Sequence, residues 1–183
     1  MRGLKYIGMD LVLKLLAIRF LFGLVLGLKT VAGFADGDVV SREYQLKAAY
    51  LFHFAELTDW PSPSPVTICL EGTSPLRSYM PALEGQLIDG KAVHIIYDQQ
   101  IDPAGCKILF LSDIGFLSQA LSEQTKLHHI LLVSDADGFA ARGGMVQFAL
   151  RENKLKLVIN LPAVKLAGLK LSSKLLRMAE ILE

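Results

Sequence analysis

The two cysteines are the residues whose type and spacing say most about possible chemistry. Cys69 and Cys106 lie 37 positions apart, in two separate segments with strand character. That spacing allows neither the CxxC motif of redox enzymes nor a zinc site with four cysteine ligands. In an oxidising compartment two cysteines make one bridge, which would here stabilise the fold by about 3 to 4 kcal/mol. Two buried free thiols are the alternative that the spacing leaves open.

The other residues with chemical potential form no catalytic or metal-binding pattern. The four histidines lack both the i, i+4 spacing of a helical ligand pair and an HExxH motif: His53, His94, His128 and His129. Asp135 and Asp137 resemble a calcium loop only faintly, because the other ligand positions are missing. Gly143 and Gly144 precede a strand rather than a helix, so no phosphate cradle is expected. The sequence therefore predicts no catalytic residue, no metal and no cofactor.

The first 35 residues have the order of a secretory signal peptide. Basic residues precede an uninterrupted apolar run, Phe20 to Leu28, and residues 33–35 offer a small-residue cleavage site. A retained membrane anchor from Leu11 to Leu28 is the alternative, but two basic residues interrupt it, and a spanning helix needs about 20 apolar residues. We therefore predict a cleaved signal peptide over residues 1–35 and a mature domain over residues 36–183, with no stable membrane insertion after cleavage.

The composition points to one folded domain. The chain has 183 residues, of which 52% are hydrophobic and 20% are charged, and such a chain has enough apolar surface to fold. Its formal net charge is +1 and it has no long basic run, so no nucleic-acid partner is expected. Without residues 1–35 the chain keeps 14 Lys+Arg and 17 Asp+Glu, and is mildly acidic.

The pattern of apolar residues predicts an α/β fold with a largely parallel sheet flanked by helices on both faces. A wide apolar stripe over residues 41–59 predicts a buried helix, which the Trp60-Pro61 pair ends. The alternation over residues 65–71 predicts a half-covered strand. Short apolar runs at residues 106–111 and 129–133, separated by a segment with helical spacing, predict parallel strands that are buried on both faces.

The remaining segments complete this single-domain fold. A short helix is predicted around residues 76–83 and a strand at residues 92–97. The runs Met145 to Leu150 and Leu155 to Ile159 predict an antiparallel hairpin appended to the sheet. Two C-terminal helices are expected to close the chain, and the second of them would carry apolar residues inward as far as Leu182.

Three segments of the chain resemble blocks of a known family. The first contains Lys47, Ala48, Ala49, Tyr50, Phe54, Trp60 and Pro61. The second contains Val133, Ser134, Asp135, Gly138, Phe139, Gly143, Gly144 and Met145, and the third contains Asn160, Gly168, Leu171, Ser172 and Leu175. In their order and spacing these segments resemble the YfiR family of exported bacterial proteins. The resemblance covers essentially the whole mature chain.

The resemblance implies a periplasmic binding protein rather than an enzyme. Its partner would be the periplasmic sensor region of an inner-membrane diguanylate cyclase, which the protein would hold inactive so that cyclic-di-GMP and biofilm formation stay low. The resemblance also implies a homodimer and a disulfide between Cys69 and Cys106. A second cysteine pair of some relatives falls on Ala140 and Gln147 here, so this protein cannot form that bridge.

A small-ligand-binding domain is the alternative from a different functional class. Open α/β sheets bind ligands beyond the carboxyl ends of their strands. The loops after Leu111 and Val133 would then line the site, with Ser112, Asp113, Ser134 and Asp135 as its polar residues. The same residue types also occur at strand ends simply as turn and cap residues.

Overall fold

The computed structural model describes residues 35–62, 64–98 and 101–183. The predicted signal peptide lies outside these residues except for its last position, and its cleavage remains a prediction. Residues 40–183 form one compact unit. None of the described helices is both long enough and apolar enough to cross a membrane.

The secondary structure alternates strands with short helical segments. The described strands are β1 (Thr58–Asp59), β2 (Thr67–Glu71), β3 (Leu87–Ile88), β4 (Lys91–Ala92), β5 (His94–Asp98), β6 (Ile108–Leu111), β7 (Leu131–Ser134), β8 (Val146–Arg151), β9 (Lys154–Asn160), β10 (Lys170–Leu171) and β11 (Ala179–Leu182). The described α-helices are α1 (Ala35–Glu56), α2 (Gln119–His128), α3 (Leu161–Leu166) and α4 (Ser173–Leu176). Short 3-10 turns are found at Pro75–Ser78, Met80–Ala82, Pro103–Gly105, Ile114–Phe116 and Ala140–Arg142.

Seven strands form the central sheet in the order β11-β9-β8-β7-β6-β2-β5. The five strands from β8 to β5 in this order run parallel to one another, whereas β9 and β11 run in the opposite direction. The predicted fold class, a largely parallel sheet with an appended antiparallel hairpin, is therefore confirmed. From β2 the chain first adds β5 on one side, and it then returns to add β6, β7 and β8 on the other side. This reversal of direction is typical of doubly wound α/β folds.

Strand β2 is more buried than its alternating sequence suggested. It lies between β5 and β6 and not at an edge, and Ile68, Cys69 and Leu70 are all inaccessible to solvent or nearly so. The expectation of a half-covered strand was wrong because the disulfide-bonded Cys69 serves as an apolar residue on the second face.

Helix α1 ends three residues before the predicted end. It stops at Glu56 because Thr58 and Asp59 form strand β1, which pairs with β10. The buried side of the helix carries Leu51 and Phe54. The ring of Phe54 stacks on Phe148 of β8 with centroids 5.7 Å apart, and this contact fixes the helix on one face of the sheet.

The β8–β9 hairpin agrees with the prediction to within one residue at each end. Its turn residues Glu152 and Asn153 both have left-handed backbone conformations, with φ of 51° and 56°. Two such residues make the type I′ turn, whose twist matches that of a two-stranded hairpin. The polar turn and the alternating flanks are local signals, which is why the sequence predicted this element well.

The C-terminal expectation was wrong in one respect. Helix α4 has a single turn and ends at Leu176, and Ala179–Leu182 form strand β11, parallel to β9. Ala179 and Ile181 alternate toward the core, and the strand covers part of the otherwise open edge of β9. The predicted helix around residues 76–83 is likewise two 3-10 turns, each with a proline near its start.

Gly144 makes a close approach that leaves no room for a side chain. A Cβ at this position would lie 2.2 Å from the Phe139 ring, which is fully buried. Gly144→Ala is therefore expected to lower the free energy of unfolding by about 3 kcal/mol, measured by chemical denaturation. Gly143→Ala is the matched control. A Cβ at Gly143 would meet no atom within 4 Å, but the backbone φ of +100° is unfavourable for alanine. The free energy of unfolding should therefore fall by only about 1 kcal/mol. Equal losses in the two variants would show that packing against Phe139 does not matter.

Candidate functional site

The first two resemblance segments meet at a buried lysine. Lys47 of α1 places its Nζ 2.6 Å from Oδ2 of Asp135 and 2.5 Å from Oε1 of Glu43. Its side chain is 4% exposed, while both carboxylates are 19% exposed. Asp135 directly follows β7, so its ion pair with Lys47 joins α1 to the carboxyl edge of the parallel strands. Glu43 lies on α1 itself, one turn before Lys47. We call Glu43, Lys47 and Asp135 the ion-pair cluster.

The charge of Lys47 is maintained by its two partners. Burial lowers the pKa of Lys47, but the hydrogen bonds and charges of Asp135 and Glu43 raise it by more, so the net pKa is raised. The ammonium group also lies 4.4 Å from the centre of the Tyr44 ring. A lysine that is held protonated in this way is a structural cation and not a proton acceptor at neutral pH. The cluster therefore fastens α1 to the sheet.

Aromatic contacts extend the attachment of α1 toward its N-terminus. The ring of Tyr44 stacks on that of Tyr79 with centroids 6.4 Å apart and planes inclined by 10°. The Tyr79 hydroxyl donates a hydrogen bond of 3.2 Å to Oγ of Ser41. Burial is the main reason that the pKa of Tyr44 is raised, so its phenol also stays neutral.

Three of the four polar residues of the alternative ligand site are already bonded within the protein. The Ser134 hydroxyl donates to the Leu111 carbonyl at 2.7 Å and accepts from the Ala136 amide at 3.0 Å. Asp113 accepts from the Gly115 amide at 2.6 Å as the cap of a 3-10 turn. Asp135 belongs to the ion-pair cluster. These contacts favour the turn-and-cap role of these side chains.

At the crevice between the ends of β2 and β6, two of the protein's own side chains lie against the backbone of Gly72. This is the place where open α/β sheets bind ligands. At Gly72, with φ of +81°, a Cβ would lie 2.0 Å from Oγ of Ser112 and 2.8 Å from the Phe116 ring. Phe116 and Ser112 thus pack directly on the backbone at the point where a ligand would have to enter.

The third segment supplies helix caps and strand contacts. Asn160 accepts a hydrogen bond from the Ala163 amide as the cap of α3, and its side-chain amide donates to the Ala140 carbonyl. Ser172 caps α4, and its backbone amide donates to the Leu57 carbonyl. Leu175 is fully buried. The positions of these residues show that they have structural roles. Their roles in function stay predictions.

Trp60 and Lys107 form a further contact between distant segments. The Trp60 indole donates to the Ala55 carbonyl at 3.4 Å, and Nζ of Lys107 lies 5.5 Å from the centre of the indole ring. The same ammonium donates to the Ser62 carbonyl at 3.3 Å. Burial lowers the pKa of Lys107. The conformation after α1 is thus fixed by an aromatic ring and a backbone carbonyl.

The disulfide between Cys69 and Cys106 is present, as expected for the family. It joins β2 to the residue that leads into the neighbouring strand β6, with Cα atoms 5.9 Å apart. Both cysteines are buried. The positions aligned with a second bridge, Ala140 and Gln147, are neighbours as well, because the Ala140 amide donates to Oε1 of Gln147 at 3.1 Å.

Three of the four histidines have a hydrogen-bond partner within the protein. His53 pairs with Glu56 at 2.8 Å, His94 pairs with Glu84 at 3.3 Å, and Nδ1 of His129 lies 2.8 Å from the Ala167 carbonyl. No group of three or more His, Cys, Asp or Glu residues in the described ranges is arranged to hold a metal ion.

The sequence analysis did not predict two concave surfaces that lie along α2. One, of about 450 Å³, is lined by Ser118, Lys126 and Arg142 among others. The other, of about 290 Å³, is more apolar and includes Met145 and Leu166. The first takes most of its lining from residues 114–126 and adds Arg142, whereas the second combines residues of α2, β7 and α3. No local pattern could therefore have indicated the second surface.

These features define a class of protein: a doubly wound α/β domain with one buried disulfide beside two adjacent strands and a first helix that an ion pair fastens to the sheet. A family model described as YfiR/HmsC-like matches residues 44–180. The match covers well over half of the chain, so the protein belongs to the YfiR/HmsC-like family, which is a family of regulatory proteins.

Comparisons with individual proteins add little to this assignment. No curated protein matches the chain. Among solved structures, the chain is similar to that titled the ABC domain in complex with L-Trp from Streptococcus pneumonia, with 12% identity and a TM-score of 0.49. That similarity covers 76% of this chain and 60% of the other, so the chain spans less than two thirds of that protein.

Proposed function

We propose that this protein is a periplasmic repressor of an inner-membrane diguanylate cyclase and acts by binding the periplasmic sensor region of that enzyme. The observation that carries the proposal is the YfiR/HmsC-like match over residues 44–180. The predicted signal peptide over residues 1–35 supports export, and the buried disulfide suits an oxidising compartment. Repression lowers cyclic-di-GMP and, through it, biofilm formation. The active form is taken to be the homodimer that the resemblance implies.

Repression of this kind requires differential affinity and no catalytic residue. A protein that binds the inactive state of an enzyme more tightly than the active state shifts the population toward the inactive state. The rigid attachment of α1 to the sheet supports this role, because an ordered surface loses less conformational entropy on binding. The packing roles of the motif residues agree with a scaffold that presents such a surface.

Deletion of the gene is expected to raise cellular cyclic-di-GMP in the source bacterium. The loss of a repressor frees the cyclase, so the level of the nucleotide should rise and biofilm should increase with it. Mass-spectrometric measurement of cyclic-di-GMP in cell extracts tests this. Restoration of the full-length gene should return the level to that of the parent.

The matched control tests whether the protein must be in the periplasm to act. A version lacking residues 1–35 should be made in comparable amount but remain without effect, since it cannot reach the periplasm. An unchanged nucleotide level after deletion, under several growth conditions, would contradict the proposed function. Full activity of the leaderless version would contradict the periplasmic location.

A further inference from the structure

The cationic residues of the chain are concentrated in its C-terminal part. Residues 40–150 contain 7 Lys+Arg and 12 Asp+Glu, whereas residues 151–183 contain 7 Lys+Arg and only 3 Asp+Glu. All seven of these C-terminal cations are exposed. They are spread along the sequence, so the chain has no basic run, and only the fold can bring some of them together.

Three of these cations share one face of the β8–β9 hairpin. In the antiparallel register Arg151 is opposite Lys154, and Ala149 is opposite Lys156. Because alternate residues of a strand point to the same face, Arg151, Lys154 and Lys156 lie together on one side of the hairpin. We call these three residues the hairpin cluster. The pair of Arg151 and Lys154 sets like charges directly opposite each other, which is unfavourable without a counter-charge.

The counter-charge within the protein is incomplete. Arg151 forms an ion pair with Glu180 of β11, with 2.7 Å between Nη1 and Oε2. Within residues 35–62, 64–98 and 101–183, Lys154 and Lys156 have no ion-pair partner. These exposed lysines are therefore free to contact an external anionic group.

The hairpin cluster lies on a projecting part of the domain. Strand β8 pairs with β7 only at Val146 and Gln147, so its second half extends beyond β7. Leu150 at the hairpin end is 53% exposed. Two further exposed residues, Arg177 and Met178, directly precede Ala179, which is paired with Leu157 of β9. Cations and exposed apolar side chains thus occur together at the same end of the sheet.

We propose that this end of the domain binds the anionic headgroups of a lipid bilayer surface. A projecting cationic tip with flanking apolar side chains suits a broad anionic plane, where lysines contact phosphates and the apolar residues reach the interface. Adsorption of this kind needs no membrane-spanning segment. If the proposed function is correct, it also concentrates the regulator at the membrane that holds its target.

Binding to vesicles tests the proposal directly with the purified mature domain, residues 36–183. The probes are sedimented vesicles of equimolar phosphatidylglycerol and phosphatidylcholine, and vesicles of phosphatidylcholine alone. We expect binding to the anionic vesicles at low salt, and loss of binding at about 0.5 M NaCl because the charges are then screened. Inorganic phosphate should release no more protein than chloride at the same ionic strength, since the ligand is a surface of headgroups and not free phosphate.

Two double variants with the same change in net charge locate the site. Lys154→Gln/Lys156→Gln should weaken binding to anionic vesicles about tenfold or more. Lys126→Gln/Lys165→Gln, on α2 and α3, should stay within about twofold of the parent. All four lysines are exposed, so both variants should keep the parent's melting temperature. Equal binding to both kinds of vesicle, or equal losses in the two variants, would overturn the proposal.

The repression assay distinguishes this inference from the proposed function. If Lys154→Gln/Lys156→Gln derepresses the cyclase while the parent protein does not bind vesicles, the cluster faces an acidic protein partner and the lipid proposal is wrong. Vesicle binding is measured on purified protein, so it can succeed or fail whatever deletion of the gene does to cyclic-di-GMP.

Discussion

Replacement of both cysteines by alanine is expected to lower the free energy of unfolding by about 4 kcal/mol. The bridge closes a loop with a sequence separation of 37, and the loss of that constraint stabilises the unfolded chain by about this amount in the loop-entropy description. For a domain whose total stability is about 5 to 15 kcal/mol, the change is large. The melting temperature of the purified domain should fall by more than 10 °C, by about 3 to 4 °C per kcal/mol.

The effect of reductant provides the control for the disulfide variant. The parent protein should lose stability when it is unfolded in the presence of reductant, whereas Cys69→Ala/Cys106→Ala should respond to heat identically with and without it. A thiol count in denatured parent protein should give no free thiol before reduction. Two free thiols per chain, or a reductant effect in the variant, would contradict the assigned role of the bridge.

The functional consequence follows from the population of folded protein. A repressor that is partly unfolded in the envelope has a smaller competent fraction, and the cyclase is released in proportion. Cells with Cys69→Ala/Cys106→Ala in place of the parent should therefore show raised cyclic-di-GMP and a lower amount of the repressor. Full repression at an unchanged protein level would contradict this coupling.

Local sequence signals account for the parts of the fold that were predicted correctly. The β8–β9 hairpin has alternating flanks and a polar turn, and the strands β6 and β7 are short apolar runs, so each is specified by neighbouring residues. The C-terminal segment was predicted wrongly because only its local pattern was considered. Leu175, Leu176, Ala179 and Leu182 have helical spacing, but pairing with β9 decides the conformation of the last four residues.

The candidate site depended on pairings that no local pattern encodes. Lys47 and Asp135 are 88 positions apart, and each belongs to a different resemblance segment. The sequence contained both residues but gave no reason to join them, because the strand order that brings β7 beside α1 is a tertiary property. The hairpin cluster was not predicted for a related reason. Its lysines alternate with apolar residues in the sequence, and they form a basic surface only on one face of the folded hairpin.

Lys47→Met is expected to destabilise the domain by about 3 kcal/mol. Methionine replaces the lysine side chain up to Cε but removes the cation, which leaves the carboxylates of Glu43 and Asp135 close together and partly buried without compensation. The melting temperature should fall by about 10 °C. Lys126→Met is the matched control, because Lys126 forms an exposed pair with Glu123 at 2.9 Å. Its loss should be below about 1 kcal/mol.

The pH dependence of the difference between the parent and Lys47→Met identifies the ionised lysine as its source. The pKa of Lys47 is raised above its ordinary value of 10.5 in the folded protein. Its stabilising contribution is thus complete below that value and is lost as the pH rises through the raised folded pKa. The difference in stability between the parent and Lys47→Met should therefore be undiminished at about pH 9 and shrink only in stronger alkali.

A second substitution tests whether the uncompensated carboxylate causes the loss. Asp135→Asn in the Lys47→Met background removes one of the two abandoned charges, so the double variant should recover a measurable part of the stability that Lys47→Met loses. In the parent background Asp135→Asn should instead destabilise, and the two substitutions should show a coupling energy of about 1 kcal/mol or more. Strictly additive effects would mean that α1 is held by its apolar face alone, and the ion-pair cluster would then lose its role in ordering the surface that the regulator presents.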